Sequence, residues 1–291
     1  MEPCVSVLIP TYNRSALLKH AIDSALSQTY SCEVIVCDHG SSDDTRSLCL
    51  SYGSQIKYIR LDKDYGIHFA ELHSLLESSC EFVHFCFDDD RMHPQYIEQS
   101  MQLMSENVGI VFTEYQLINL ESPGLCDPFV QPFDQINKCL AYSFRLIHKP
   151  FLGLISPSSA LVRREDAIRC MYMNTNLCSD HYYFGVGPDW LITAYPLVKY
   201  RYCGYIKTPM VAFGVHSDSI TIDATGNDDY VKRKRFFLAY CGARAYLLSS
   251  YVVSLMKLDL FIGVMIKVCL YAINLPMKLR RALNFICSRD V

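Results

Sequence analysis

The chain has 291 residues, of which 51% are hydrophobic and 20% charged. That composition supports a buried core, excludes a disordered chain and allows one or two domains of about 150 residues. The net charge of −3 excludes non-specific nucleic-acid binding, which needs clustered cations to neutralise phosphates.

The N-terminus runs directly into an apolar strand pattern, Val5 to Pro10, without the charged and apolar regions of a signal peptide. Ser15 is placed to cap a helix in which Leu17, Leu18, Ala21, Ile22, Ala25 and Leu26 recur at helical spacing. Glu33 to Asp38 and Lys57 to Leu61 are further strand patterns, and Ile67 to Leu76 is helical. Glu81 to Phe87 is a fourth strand, which ends abruptly in Asp88-Asp89-Asp90. Pro94 suits the first turn of a helix reaching about Ser105, and Val108 to Thr113 is another strand. Strands separated by helices predict an α/β fold, a mainly parallel sheet covered on both faces. Ligands of such sheets sit beyond the carboxyl ends of the strands, where Thr11-Tyr12, Asp38 and Asp88–Asp90 gather.

Between Leu120 and Pro150 the pattern is irregular and reads as loops; Ser159 to Arg163 is a strand, and Asp189-Trp190 opens a short helix. After Asp229 three helical patterns follow, Tyr230–Met256, Leu260–Asn274 and Pro276–Ser288, apolar on one side and basic on the other. The boundary predicts a catalytic domain over 1–228 and a helical amphipathic extension over 229–291. Arg244 interrupts the one stretch long enough to span a bilayer. The extension therefore reads as a helix on an anionic cytoplasmic membrane surface, or as a helical subdomain packed on the core. The 14 cysteines lie largely in apolar runs with no Cys-x-x-Cys spacing, which predicts buried reduced thiols in a cytosolic protein and no zinc site.

Three consecutive carboxylates directly after an apolar strand repel one another unless a cation is present. Mg²⁺ or Mn²⁺ held by one or two of them against a diphosphate is one reading; a solvated turn before a helix is the other. Tyr12 offers a face for a nucleobase and Asp38 an acceptor for a base N–H or ribose hydroxyl. Equally, Pro10-Thr11-Tyr12-Asn13 and Asp38-His39-Gly40-Ser41 have the residues of ordinary turns.

Taken together, VSVLIPTYNR, ALSQTY, EVIVCDHGSSDDT and FCFDDDRMHP strongly resemble the family 2 glycosyltransferases of GT-A fold. The likeness is in register over residues 4–115, fainter to about 220, and absent beyond. It implies an inverting transferase that uses a nucleotide-diphosphate-sugar donor, taken as a UDP-sugar, and Mn²⁺ or Mg²⁺. Pro10, Thr11, Tyr12, Asn13, Asp38 and Asp88 would line the nucleotide pocket. Asp89, aligned on Pro94, would be the central metal ligand, joined by Asp90. Asp189 would be the general base, with a helix cap as its alternative role. His216, in Gly214-Val215-His216-Ser217-Asp218-Ser219, would contact phosphate or complete the metal shell. Ser219 and Trp190 are candidates for phosphate and acceptor contacts, as are Arg163, Arg164, Asp180 and His181 on the acceptor side. The single tryptophan is Trp190, so the Gln-x-x-Arg-Trp signature of processive synthases is missing, and transfer of one sugar is expected. The resemblance implies a bacterial O-antigen or capsule role, and the basic apolar tail motivates a saccharide acceptor on undecaprenyl at the inner face of the cell membrane.

Three departures stand against the pattern. His39 replaces a common second acidic residue or Asn, Glu71 stands where the family commonly has Arg, and Pro188 replaces a Glu. His68 and His73 are the nearby candidates to replace that Arg. The departures keep open a catalytically degenerate scaffold. A sugar-1-phosphate nucleotidyltransferase is the other alternative, although Pro10-Thr11-Tyr12-Asn13-Arg14 lacks its glycine-rich loop.

Overall fold

The computed structural model describes residues 5–120, 137–141, 156–171, 188–200 and 202–216. In chain order the elements are β1 Val5–Thr11, α1 Ser15–Leu26, β2 Cys32–Asp38, α2 Thr45–Ser51, β3 Lys57–Arg60, α3 Ile67–Glu77 and β4 Phe82–Phe85. There follow β5 Arg91–Met92, α4 Tyr96–Leu103, β6 Val108–Asn119, β7 Asn137–Ala141 and β8 Ala160–Arg163. α5 Arg164–Met171, α6 Pro188–Lys199 and β9 Tyr202–Val215 complete the set.

The nine strands form one sheet in the order β3-β2-β1-β4-β8-β6-β9-β5, with β7 also paired to β9. β1, β2, β3 and β4 run parallel. The direction then reverses: β8 is antiparallel to both β4 and β6, and β9 is parallel to β6 but antiparallel to β5 and β7. The sheet is therefore mixed rather than mainly parallel.

Alternation along each strand explains why both faces are covered. Val5, Val7 and Ile9 of β1, with Val34 and Val36 of β2, join Leu18, Ile22 and Ile97 in one core cluster. Leu8 and Ile35 point the other way and join Val83, Phe85, Leu75, Cys170, Leu191 and Leu197 in a second. Each such fully buried aliphatic side chain contributes about 1.5–3 kcal/mol.

Several expectations need correction. Ser15 is the first residue of α1 rather than its cap; its backbone N–H donates to Asp43 Oδ2 at 2.9 Å, so the cap comes from the neighbouring loop. Pro94 precedes α4 by two residues. β7 lies within the stretch expected to be all loop, and β5 and α5 had no periodic signal. β5, two residues long, is a strand only because β9 lies beside it. Seven cysteines among the described residues are free, and all but Cys32 are buried. Among the described residues no helix is long and apolar enough to cross a membrane. The extension over 229–291, Ser219, Asp180 and His181 lie outside the described residues.

Candidate active site

The carboxyl ends of β1, β2 and β4 open on one edge, and the loops there are tied to one another. Asn13 adopts a left-handed conformation, φ 53°, which Asn tolerates better than most residues. Its N–H donates to Ser41 Oγ at 2.9 Å and its Oδ1 accepts from the Ser42 N–H at 2.7 Å, joining the two loops. Gly40 has φ 84°, and a methyl there would lie 2.8 Å from the Lys63 backbone, so the turn after β2 needs glycine. Pro10 lies in β1 opposite Cys37. Tyr12 is exposed, with its ring 6.3 Å from that of His39.

Asp38 differs from the open acceptor that the sequence predicts. It is fully buried, and both its oxygens are taken. Oδ1 accepts from the Ser41 N–H at 2.7 Å; Oδ2 accepts from Tyr58 at 2.7 Å and from Arg60 at 2.6 Å. Burial alone would raise its pKa, but the donors from Ser41 and Tyr58 and the Arg60 charge hold the carboxyl below its ordinary value. In this arrangement Asp38 ties the loop after β2 to β3.

The acidic run divides into three roles. Asp88 is buried; its Oδ2 accepts from Thr11 Oγ1 at 2.9 Å and its Oδ1 from Arg14 at 3.1 Å. Burial pushes its carboxyl up to about 6 against the opposing pull of Arg14. Asp90 is also buried, with Oδ1 accepting from the Gly214 N–H at 3.2 Å and Oδ2 from Ser158. Burial, then the Asp89 charge, raises its carboxyl well above the ordinary range. Both Asp90 oxygens thus accept a hydrogen bond from the protein. Asp89 is the remaining carboxylate, with Oδ2 lying 3.0 Å from His216 Nε2 and 3.6 Å from the Arg14 guanidinium.

Four chain segments therefore converge on this acidic turn: the loop after β1, the β4–β5 turn, the 3-10 turn Pro157–Ser159 and the end of β9. Arg14 and Ser158 were not expected here. Arg14 stands directly after the Pro-Thr-Tyr-Asn segment, where a cation opposite three carboxylates is a usable signal; Ser158 has none. Among the described residues no three His, Cys, Asp or Glu side chains form a metal-ready group.

Asp189 lies in the first turn of α6, partly buried, and its Oδ1 accepts from the Trp190 N–H at 2.7 Å. Trp190 is partly buried and packs against the second core cluster. α6 rests on the same 3-10 turn whose Ser158 holds Asp90. Arg163 and Arg164 are engaged elsewhere: Arg163 with Glu81 and the Ser105 carbonyl, Arg164 with the Leu75 carbonyl and Ser78. Neither is placed on an acceptor surface at the acidic turn.

Comparison with known proteins bears on this arrangement. Residues 6–165 match the family model described as glycosyl transferase family 2, more than half of the chain. An uncharacterised glycosyltransferase of Rickettsia typhi is 34% identical over 141 residues, 47% of this chain and 43% of the relative. The UDP-Glc:alpha-D-GlcNAc-diphosphoundecaprenol beta-1,3-glucosyltransferase of Escherichia coli is 32% identical over 131 residues, 44% of this chain and 51% of the relative. The chain thus spans about half or less of the length of these curated relatives. Among solved structures, S. aureus TarS 1-349 in complex with UDP-GlcNAc superimposes with a TM-score of 0.58 at 16% identity, covering 87% of this chain and 66% of that one. The mannosyltransferase PcManGT of Pyrobaculum calidifontis, in complex with GDP-Man and Mn²⁺, gives 0.51 at 16% identity, covering 99% and 80%. Those likenesses speak for the fold, which is the GT-A fold expected from the motifs. With the motifs, the fold and the family model in agreement, the chain belongs to glycosyltransferase family 2.

Proposed function

We propose that the protein is an inverting glycosyltransferase that moves one sugar from a UDP-sugar to a lipid-linked saccharide. The observation that carries this reading is the facing of Asp89 and His216, 3.0 Å apart, beside Arg14 at an edge where four segments meet. A carboxylate oxygen and an imidazole nitrogen this close, at 3.0 Å, are ligand types that suit Mn²⁺ or Mg²⁺ whose remaining ligands are diphosphate oxygens. Asp89 and His216 would hold the ion, which when bound neutralises charge on the departing diphosphate. Arg14, already within 3.6 Å of Asp89, adds a fixed cation at the same place. Thr11, Tyr12, Asn13 and Asp88 frame the nucleotide side. Asp189 takes the proton of the acceptor hydroxyl as its oxygen attacks the anomeric carbon from the face opposite the diphosphate.

The acceptor class rests on the name of the E. coli relative, which acts on a diphosphoundecaprenol-linked sugar, and on the basic apolar sequence of 229–291. That sequence suits an anionic membrane surface at the cytoplasmic face. Deleting residues 257–291 should release the protein from membranes while leaving donor hydrolysis largely intact; a deletion variant that still pellets with membranes rejects this part. For the activity itself, nucleotide sugars are screened by thermal shift with Mn²⁺ present. A true donor binds the folded state alone and raises the melting temperature. Asp189→Asn should keep that shift and lose about 10²–10⁴-fold in turnover. If the Asp189→Asn variant binds donor and turns over as fast as wild type, this carboxylate is not the base.

A further inference from the structure

One serine closes both ends of the acidic turn. The chain bends tightly from Phe87 to Asp90, whose N–H donates to the Phe87 carbonyl at 3.0 Å. Ser158 Oγ accepts from the Phe87 N–H at 3.4 Å at the start of that bend and donates to Asp90 Oδ2 at its end. A hydroxyl can do both, having one hydrogen and two lone pairs. The serine is itself held. Ser156 Oγ accepts from the Ser158 N–H at 3.2 Å, and the Ser156 carbonyl accepts from the Ser159 N–H at 2.9 Å and from Ser159 Oγ at 3.0 Å. Pro157 sets the backbone at the start of this 3-10 turn. The turn runs straight into β8, which is paired on both sides, to β4 and to β6.

We propose that Ser158 is a positioning residue for the metal site: acting through Asp90, its hydroxyl sets the spacing between Asp89 and His216. The inference rests on the reading of those two residues as the pair that holds the ion. The route is a chain of hydrogen bonds from β8 to β9. Asp90 takes the Ser158 hydroxyl on one oxygen and the Gly214 N–H, at 3.2 Å, on the other. Gly214 stands two residues before His216 and lies against the acidic turn, so close that a methyl on it would be 2.3 Å from the Asp89 carbonyl oxygen. Asp89 and His216 meet at 3.0 Å directly beyond this chain. Ser158 and Asp90 are both buried, where a broken hydrogen bond leaves its partner unsatisfied instead of passing it to bulk water. Without the hydroxyl, the bend loses its closure at Phe87 and Asp90 loses one of its two anchors, so Asp89 and β9 are free to drift apart.

Two measurements on the full chain, made well below the melting temperature, test this. In Mn²⁺ titration calorimetry with UDP present, Ser158→Ala should weaken binding by about 3–10-fold, less than the loss of a group that touches a ligand directly. Ser158→Thr keeps the hydroxyl and should return the affinity towards wild type. In an Asp90→Asn background the same Ser158→Ala change should cost much less, because its route is already broken. In amide hydrogen exchange without metal, Ser158→Ala should speed exchange at Gly214, on the other side of Asp90. A hydroxyl that serves stability alone would lower the melting temperature and leave both readings unmoved, which overturns the proposal; so does an equal loss of Mn²⁺ affinity in the Asp90→Asn background. If Ser158→Ala does not fold, Ser158→Cys takes its place, since a thiol fills the site and donates only weakly. Unchanged Mn²⁺ affinity in Asp89→Asn instead removes the metal reading itself, whatever the Ser158 variants give.

Discussion

Replacing Gly214 by alanine perturbs the candidate site at its backbone. A methyl at Gly214 would lie 2.3 Å from the Asp89 carbonyl oxygen and 2.5 Å from Leu120 Cδ1. Ordinary contact needs about 3.5 Å, so β9 must withdraw by roughly 1 Å. The Gly214 N–H···Asp90 bond, 3.2 Å long, cannot survive that movement. Forcing a methyl into a packed position costs about 1–3 kcal/mol. Weakening the hold on a buried carboxyl costs about 1.5–3 kcal/mol more. Both follow from one displacement, so together they should amount to about 3 kcal/mol, or roughly 6–10 °C in melting temperature. His216 lies two residues on and should leave Asp89, so Mn²⁺ affinity should fall in the same variant. Urea unfolding with an unchanged slope, read against Mn²⁺ titration calorimetry, separates the two effects. If Gly214→Ala stays within about 0.5 kcal/mol of wild type, the close approach of β9 to the acidic turn is wrong, and the convergence argued from it fails.

Asp89→Asn and His216→Ala should each weaken Mn²⁺ binding, measured calorimetrically with UDP present, by about tenfold or more. Asp90→Asn, whose oxygens meet Ser158 and Gly214, should lower the melting temperature more than the Mn²⁺ affinity; the reverse order would mark Asp90 as a ligand. Tyr58→Phe removes the 2.7 Å donor to buried Asp38 and should cost about 1.5–3 kcal/mol in urea unfolding. His84 is fully buried, with Nδ1–H donating to the Ala160 carbonyl at 3.0 Å, and burial lowers its pKa to about 4. A depressed histidine favours folding while it is neutral in the unfolded chain too. Its contribution is therefore complete above about pH 6.5 and is lost as pH falls towards 4, up to about 3 kcal/mol. Wild type minus His84→Leu, unfolded in urea at several pH values, should show that decline; a flat difference refutes it.

The legible part of the protein is the part where local pattern and final environment agree. The alternation in Val5–Ile9 and Val34–Val36 and the helical spacing in α1 fixed β1, β2 and their sorting to two faces, because period alone decides which side a residue takes. The abrupt stop after β4 marked Asp88–Asp90 as special, since three carboxylates cannot follow an apolar strand into a core. Tertiary structure decided how those carboxylates differ. Asp90 accepts from a serine 68 residues later and a glycine 124 residues later, and Asp38 from Tyr58 and Arg60 on the adjacent strand. Hydrogen-bond pairing depends on partners brought from afar, so no local pattern announces it. For the same reason β5 and β7 were invisible: each is a strand only through its pairing with β9. The sequence by itself determined which residue types stand at the sheet's edge. Only the packed chain decided which of them still face outward, because each side chain's remaining capacity depends on the neighbours that folding supplies.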